Sequence, residues 1–179
     1  MDWVLKALEK AREKKLGFAV LTDHDGVDGF DEFSEGVRKW WTPICASELS
    51  CTFFDPERRK DRELHLLVYG LNPQDPILKE KFGKFRAERA ARFFRIAEKL
   101  AEAGYPIDAE GFAKKHPGVL GRPHIADALM EAGIVKNRLE AFDRFLKDDG
   151  RFHVQKWRFP LDEAVAYARK NGCKTSIAH

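Results

Sequence analysis

The chain is poor in cysteine, with Cys45, Cys51 and Cys173 spread over 179 residues. An odd count without close spacing argues against a disulfide framework, and with no CxxC pair a thiolate zinc site is not expected. The three read as reduced packing residues. Long apolar runs are also missing: nothing approaches the roughly 18 consecutive residues that span a bilayer. The first fifteen residues are charged and amphipathic, without the apolar stretch and small-residue cleavage site of a secretory signal, so cytoplasmic placement is expected. No strong charge imbalance is present either. A net charge of +3 is too small by itself to imply a nucleic-acid partner. What remains, 44% hydrophobic and 34% charged, is ordinary for a globular domain. There is no internal repeat and no low-complexity linker.

Val4, Leu8 and Ala11, with Leu5 alongside, have helical spacing over residues 3–16, with Gly17 as the expected stop. Phe18 to Leu21 is a short continuous apolar run and reads as a buried parallel strand. Further strands fit Pro43 to Ala46, Leu64 to Leu71, 151–156 and Lys174 to Ala178. Residues 77–101 read as one long helix with Phe82, Phe85, Phe93, Ile96, Ala97 and Leu100 as its apolar stripe, ended by Gly104, Tyr105 and Pro106. Shorter helices fit 109–115, 123–132 and 138–147, and Pro160 opens a last one that ends near Gly172. The outer parts alternate strand and helix, as in a parallel sheet or barrel, and the middle is almost wholly helical.

The residues that carry chemistry stand at the ends of these strands. Thr22-Asp23-His24-Asp25 follows the first apolar run, where side chains enter the mouth of a parallel sheet. A histidine between aspartates suits metal binding, because a carboxylate can orient the second ring nitrogen; the competing reading is a simple reversal at Asp25-Gly26. Glu48 follows the second strand, His65 opens the third, and His179 follows Ser176-Ile177-Ala178. Singly, each has a blander reading as a loop or core residue. Jointly they make a mixed imidazole and carboxylate set that suits Mn, Fe or Zn.

These segments, LTDHDGVDGF, ASELS, ELHLLVYGL, GRPHIADALMEAGIV and SIAH in that order, resemble PHP (polymerase and histidinol phosphatase) phosphoesterases. The likeness is greatest to the subgroup with a helical insertion that hydrolyses nucleoside 3′,5′-bisphosphates and short RNA. It implies an α/β fold, a partial distorted (β/α)7 barrel with an all-helical insertion. The expected layout is 1–71 as the N-terminal part of the barrel, 72–150 as a helical substrate cap and 151–179 as the barrel's continuation. His24, Glu48, His65 and His179 match positions that bind two or three divalent metal ions, with Mn foremost and Fe, Zn or Mg as alternatives. Family members open with a strand ending in His-x-His and close with a Ser-Asp-x-His segment. Neither is present, so the chain is expected to be cut short at both ends. Polymerase-associated proofreading domains lack the helical insertion and fit less well.

The long helix carries eight Lys and Arg residues from Lys79 to Lys99. Most read as a solvated face, but Arg86 and Arg89 share a face at i,i+3, and the resemblance places substrate contacts at the matching positions. Gly121-Arg122-Pro123-His124 opens a helix whose N-terminus favours an anion, with Arg122 and His124 as further donors; the competing reading is that Pro123 and His124 only start the helix. His116 and His153 are expected to be structural, and Trp40, Trp41 and Trp157 to pack. The expected reaction is hydrolysis of a nucleotide phosphomonoester by water whose pKa a metal ion lowers to about 7. Asp23 or Asp25 would orient a histidine, and Asp23, His24 and Glu48 would form the catalytic group. Two rival readings remain: a non-catalytic nucleotide- or phosphate-binding module acting through Arg86, Arg89 and Arg122, and a plain α/β structural domain. The partner expected is a nucleotide or short RNA, with no membrane and no stable protein partner.

Overall fold

The computed structural model describes residues 2–116 and 120–179, leaving aside the side chains of residues 2 and 3. It divides into two compact units, one running up to Phe82 and resuming at Arg158–His179, the other comprising Gly83–Trp157.

In the first unit, helix α1 (Asp2–Glu13) and helix α2 (Phe30–Val37) bury Val4 and Leu8 against Phe33 and Val37. A Cβ on Gly36 would come within 3.0 Å of the Leu8 side chain, so glycine permits the close helix approach. Helix α1 stops one turn earlier than Gly17. Lys15 takes the left-handed conformation at φ 56, and Leu16 N–H returns to Ala11 O at 3.0 Å. The apolar run 18–21 is not a strand. Ala19 and Leu21 pack onto the α1–α2 cluster and Phe18 is exposed, so this hydrophobicity serves helix packing instead. Pairing begins only at strand β1 (Thr22–His24).

Strand β2 (Ala46–Asp55) runs parallel to β1 and antiparallel to β3 (Lys60–Tyr69). The second and third strands are therefore a long hairpin, not two parallel strands as the sequence suggested. Asp55 closes its turn, accepting from Glu57 N–H at 3.0 Å, Arg58 N–H at 3.2 Å and the Arg58 guanidinium at 3.0 Å, ahead of Arg59 at φ 50. Strand β4 (Phe159–Pro160) pairs parallel with β2, and β5 (Lys174–Ile177) pairs antiparallel with β3. The result is an open, mixed sheet in the order β1-β2-β3-β5, with β4 beside β2. Helix α7 (Leu161–Lys170) precedes β5 and ends through Gly172 at φ 68, with Cys173 N–H on Ala168 O.

Burial alone would raise the Asp55 carboxyl's pKa. The N–H and guanidinium groups of Arg58, the Glu57 N–H and Arg62 outweigh it and hold the group below its ordinary 3.8. A carboxyl depressed in the folded state adds stability above its unfolded pKa and loses it as pH falls through the folded value. Asp55→Asn is thus expected to flatten the decline in urea midpoint as pH falls below the carboxyl's ordinary value of 3.8. An unchanged acid limb would rule out this contribution.

Helix α3 (Pro76–Glu102) places its residues from Gly83 onward in the second unit. There Phe93, Ile96 and Leu100 meet Phe112 of α4 (Ala109–Lys115), Ile125 and Leu129 of α5 (Arg122–Glu131) and Ala141 of α6 (Arg138–Arg144) in one core. Asp108 and Asn137 cap α4 and α6 through Gly111 N–H and Glu140 N–H. Residues 151–156 form no strand. Phe152 and Val154 are buried in this core, while Arg92 Nε and Lys99 Nζ donate to the Val154 and His153 carbonyls at 2.6 and 2.9 Å, doing what a strand partner would do.

Burial lifts the thiols of Cys45 and Cys51 to about 11 and about 12, with Asp31 and Asp25 adding to it, so neither is a ready nucleophile. Among the described residues no helix is long and apolar enough to cross a membrane.

Candidate metal centre

Parallel pairing sets His24, the last residue of β1, directly beside Glu48 on β2. The antiparallel hairpin then places His65 of β3 opposite Ser50, diagonal to Glu48 on the same face of the sheet. Donor atoms of His24, Glu48 and His65 lie within 4.8 Å of one another. From Glu48 Oε1 the distances are 2.8 Å to His65 Nδ1 and 3.9 Å to His24 Nε2. Strand β5 ends at Ile177, Ala178 N–H donates to His65 O at 3.0 Å, and the next residue brings His179 Nε2 to 3.5 Å from Glu48 Oε1 and 3.2 Å from His65 Nδ1. The four positions picked out by the sequence therefore lie together, although they come from a mixed sheet. Glu48 lies inside β2, paired to both β1 and β3, and His65 lies inside β3, paired to Ser50 and receiving Ala178 N–H on its carbonyl, so neither ends its strand.

Glu48 Oε1 is buried and makes no well-formed hydrogen bond, even with three ring nitrogens around it. The 2.8 Å approach of His65 Nδ1 is an ion-pair distance without hydrogen-bond geometry. An orphaned buried carboxylate oxygen ringed by imidazoles is costly unless a cation or protons neutralise it. Ligand atoms about 2.0–2.2 Å from a shared ion stand about 2.8–3.1 Å apart at 90° and about 3.3–3.6 Å apart at tetrahedral angles. The separations from Glu48 and His65, 2.8–3.9 Å, overlap that range, and the orphaned Oε1 offers an anionic donor, so the residues present fit a divalent ion. Exposure rises outward, from 15% and 21% for the Glu48 and His65 side chains to 50% and 74% for His24 and His179, so the outer side of the cluster faces solvent.

Asp23 is not in this group. It alternates with His24 along β1, and its carboxylate packs over Gly29, where an added Cβ would lie 2.7 Å from Oδ2. Gly29 caps α2, so Asp23 sits at that helix's N-terminus and away from the donor cluster. Asp23 was expected to act beside His24 and Glu48; here its carboxylate packs over Gly29. Asp25 instead turns its carboxylate to Ser50.

Within the second unit, Arg86 and Arg89 lie on α3 as expected, and Arg92 continues their i,i+3 series. Burial, reinforced by Arg122 and by Arg89 and Arg95, lowers the Arg92 guanidinium's pKa, with Asp148 opposing. Arg92, expected on the solvated basic face, is instead partly buried on the Val154 carbonyl. The Arg122 guanidinium is engaged by the Leu146 carbonyl at 3.1 Å and by Asp148, so much of its role is to tie α5 to the 146–148 segment. His124 Nδ1 accepts Gly121 N–H at 3.1 Å, capping its own helix and placing any neutral-ring proton on Nε2. His116 stacks on Phe112 at 4.3 Å, and Trp157 packs on Phe85 at 4.7 Å under Lys84 Nζ.

No family model matches the chain. The 3′,5′-nucleoside bisphosphate phosphatase of Chromobacterium violaceum is 23% identical over 97% of this chain and 60% of its own length. A 5′-3′ exoribonuclease of Haemophilus influenzae is 26% identical over 99% and 64%. The 5′-3′ exoribonuclease Rnm of Escherichia coli is 23% identical over 96% and 58%. The chain thus spans about three fifths of the length of the curated relatives it matches. Among solved structures, a protein of Bifidobacterium adolescentis assigned as a metal-dependent phosphoesterase superposes with a TM-score of 0.78 at 26% identity, over 98% of this chain and 61% of its own. A Chromobacterium violaceum protein solved as an amidohydrolase shares the fold, at a TM-score of 0.75 and 23% identity over 98% of this chain and 61% of its own. The resemblance read from the motifs is borne out: over nearly all its residues this chain is similar to proteins named for nucleoside bisphosphate phosphatase and 5′-3′ exoribonuclease activity.

Proposed function

We propose that this chain carries the metal-binding part of a phosphoesterase that hydrolyses a phosphomonoester of a nucleoside 3′,5′-bisphosphate or a short oligoribonucleotide. The observation that carries this reading is the convergence of His24, Glu48 and His65 on one point, with His179 beside them. The names of the relatives support the substrate class. The TM-score of 0.78 to a protein assigned as a metal-dependent phosphoesterase supports the reaction class. Bound divalent ions, manganese foremost, would lower the pKa of a water and polarise the phosphoryl group. The chain's own contribution is to hold the ions. Glu48 supplies negative charge at the base of the site, and His65 and His24 supply neutral nitrogens. His179 would add a nitrogen on the outer, exposed side.

Arg86, Arg89 and His124 are proposed to bind the anionic substrate, with 72–150 acting as the cap. Arg122 adds charge to that group while anchored to Asp148. We place the protein in the cytoplasm, where free thiols such as Cys45 and Cys51 persist.

The test is phosphate release from adenosine 3′,5′-bisphosphate and from a short 5′-phosphorylated RNA, with and without added manganese. Release that rises with manganese and is lost to chelator supports the reading. Nucleotide binding without release would favour a binding module, and neither binding nor release would overturn the assignment.

A further inference from the structure

We propose that Asp25, acting with Ser50, is a positioning residue that sets His24 against Glu48 and so governs metal affinity without being a ligand. The inference rests on the metal-binding reading above. Strand β1 pairs with β2 only from Ala46 to Glu48, and β4 takes up that edge at Cys51 and Thr52. Ser50 lies in the gap between them. Its N–H donates to Asp25 Oδ1 at 2.6 Å and its hydroxyl donates to Oδ2 at 3.0 Å. The carboxylate therefore serves as the acceptor that a neighbouring strand's carbonyl would otherwise provide.

The same turn is tied to β2 three more times. Asp25 N–H donates to Glu48 O at 3.0 Å, the Ser47 hydroxyl donates to Asp23 O at 3.0 Å, and Gly26 N–H donates to Ser47 Oγ at 3.3 Å. All five bonds run between residues flanking His24 and residues at or flanking Glu48. Asp25 is 4% exposed and sits at φ 56, a left-handed conformation that aspartate tolerates better than most residues. Such a conformation persists only where the surroundings over-determine it. Here they determine where the chain turns immediately after His24, and hence how the imidazole meets the carboxylate 3.9 Å away.

The experiment measures manganese affinity by titration calorimetry, together with melting temperature, for the full chain and three variants. Asp25→Gly keeps the backbone conformation and deletes the clamp; it should weaken manganese binding about 10–100-fold, the usual effect of removing a partner outside the ligand shell. Asp25→Asn keeps the shape, the left-handed tolerance and an acceptor for Ser50 N–H, and should stay within about threefold of wild type. Ser50→Ala removes one bond and leaves Asp25 in place; it should weaken binding about fivefold, and it decides the matter should Asp25→Gly fail to fold. Wild-type affinity in Asp25→Gly and Ser50→Ala, with only melting temperature lowered, would overturn the positioning role and leave the metal site standing. A wild-type chain that takes up no manganese would overturn both.

Discussion

Glu48→Gln is expected to weaken manganese binding by more than about 100-fold, beyond the effect of losing any partner outside the ligand shell, and to remove metal-dependent phosphate release. The substitution preserves volume and both heavy-atom positions but replaces a charged oxygen with a neutral amide. Glu48 Oε1 is the hub of the cluster: His65, His179 and His24 approach it at 2.8, 3.5 and 3.9 Å, and it makes no well-formed hydrogen bond of its own. Three neutral imidazoles retain affinity for soft and borderline ions but lack the anionic oxygen that a hard ion prefers. Titration with manganese, followed by electron paramagnetic resonance of the free ion, checks this directly. A variant that binds manganese as tightly as the parent would remove Glu48 from the ligand set. His24→Asn should have a smaller effect, because His24 is half-exposed and stands farther from the hub.

Phe93→Ala should destabilise the protein by about 3–5 kcal/mol, the range for truncating a buried aromatic. Phe93 is 1% exposed. Its ring meets Phe94 edge-on at 5.4 Å and stacks on Phe112 at 6.1 Å. Phe112 in turn stacks on His116, so the void would open between α3 and α4, where neighbouring rings are already committed to other contacts. Urea unfolding monitored by circular dichroism measures the loss. Ile125→Val, in the same core and fully buried, sets the lower end of the scale at about 0.5–1.5 kcal/mol. A cost for Phe93→Ala no greater than that of Ile125→Val would mean that the core collapses around the missing ring.

The grouping of His24, Glu48, His65 and His179 was legible only from their joint pattern beside short apolar runs, since each alone also reads as a loop or core residue. Their framework was less legible. The charged stretch Glu57 to Glu63 hides a strand, since its solvent-facing half carries Arg62 and Lys60 where apolar residues were sought. The Asp55-Pro56 turn signal was consequently overlooked, and an antiparallel hairpin was read as two parallel strands. At Phe18 to Leu21 the apolar run was real but answered to helix packing. At 151–156, burial of Phe152 and Val154 mimicked a strand whose carbonyls in fact go to α3 side chains. The helices were easier: the stripe from Phe82 to Leu100 is buried throughout, because a period of 3.6 is set by local geometry and needs no knowledge of distant partners. Asp23 shows the limit in the other direction, since whether an aspartate next to a histidine faces the same way depends on strand alternation, and residues adjacent on a strand point apart.

The hairpin also bears on the order in which the cluster assembles during folding. Glu48 and His65 are joined by one local turn, a contact of the kind that closes in about 1–10 μs. His179 reaches His65 across 114 residues of chain, and such distant pairings carry a greater loop-closure cost and form later. A divalent ion present from the start of refolding would therefore meet the Glu48–His65 pair first, with His179 joining only after the distant strand has docked.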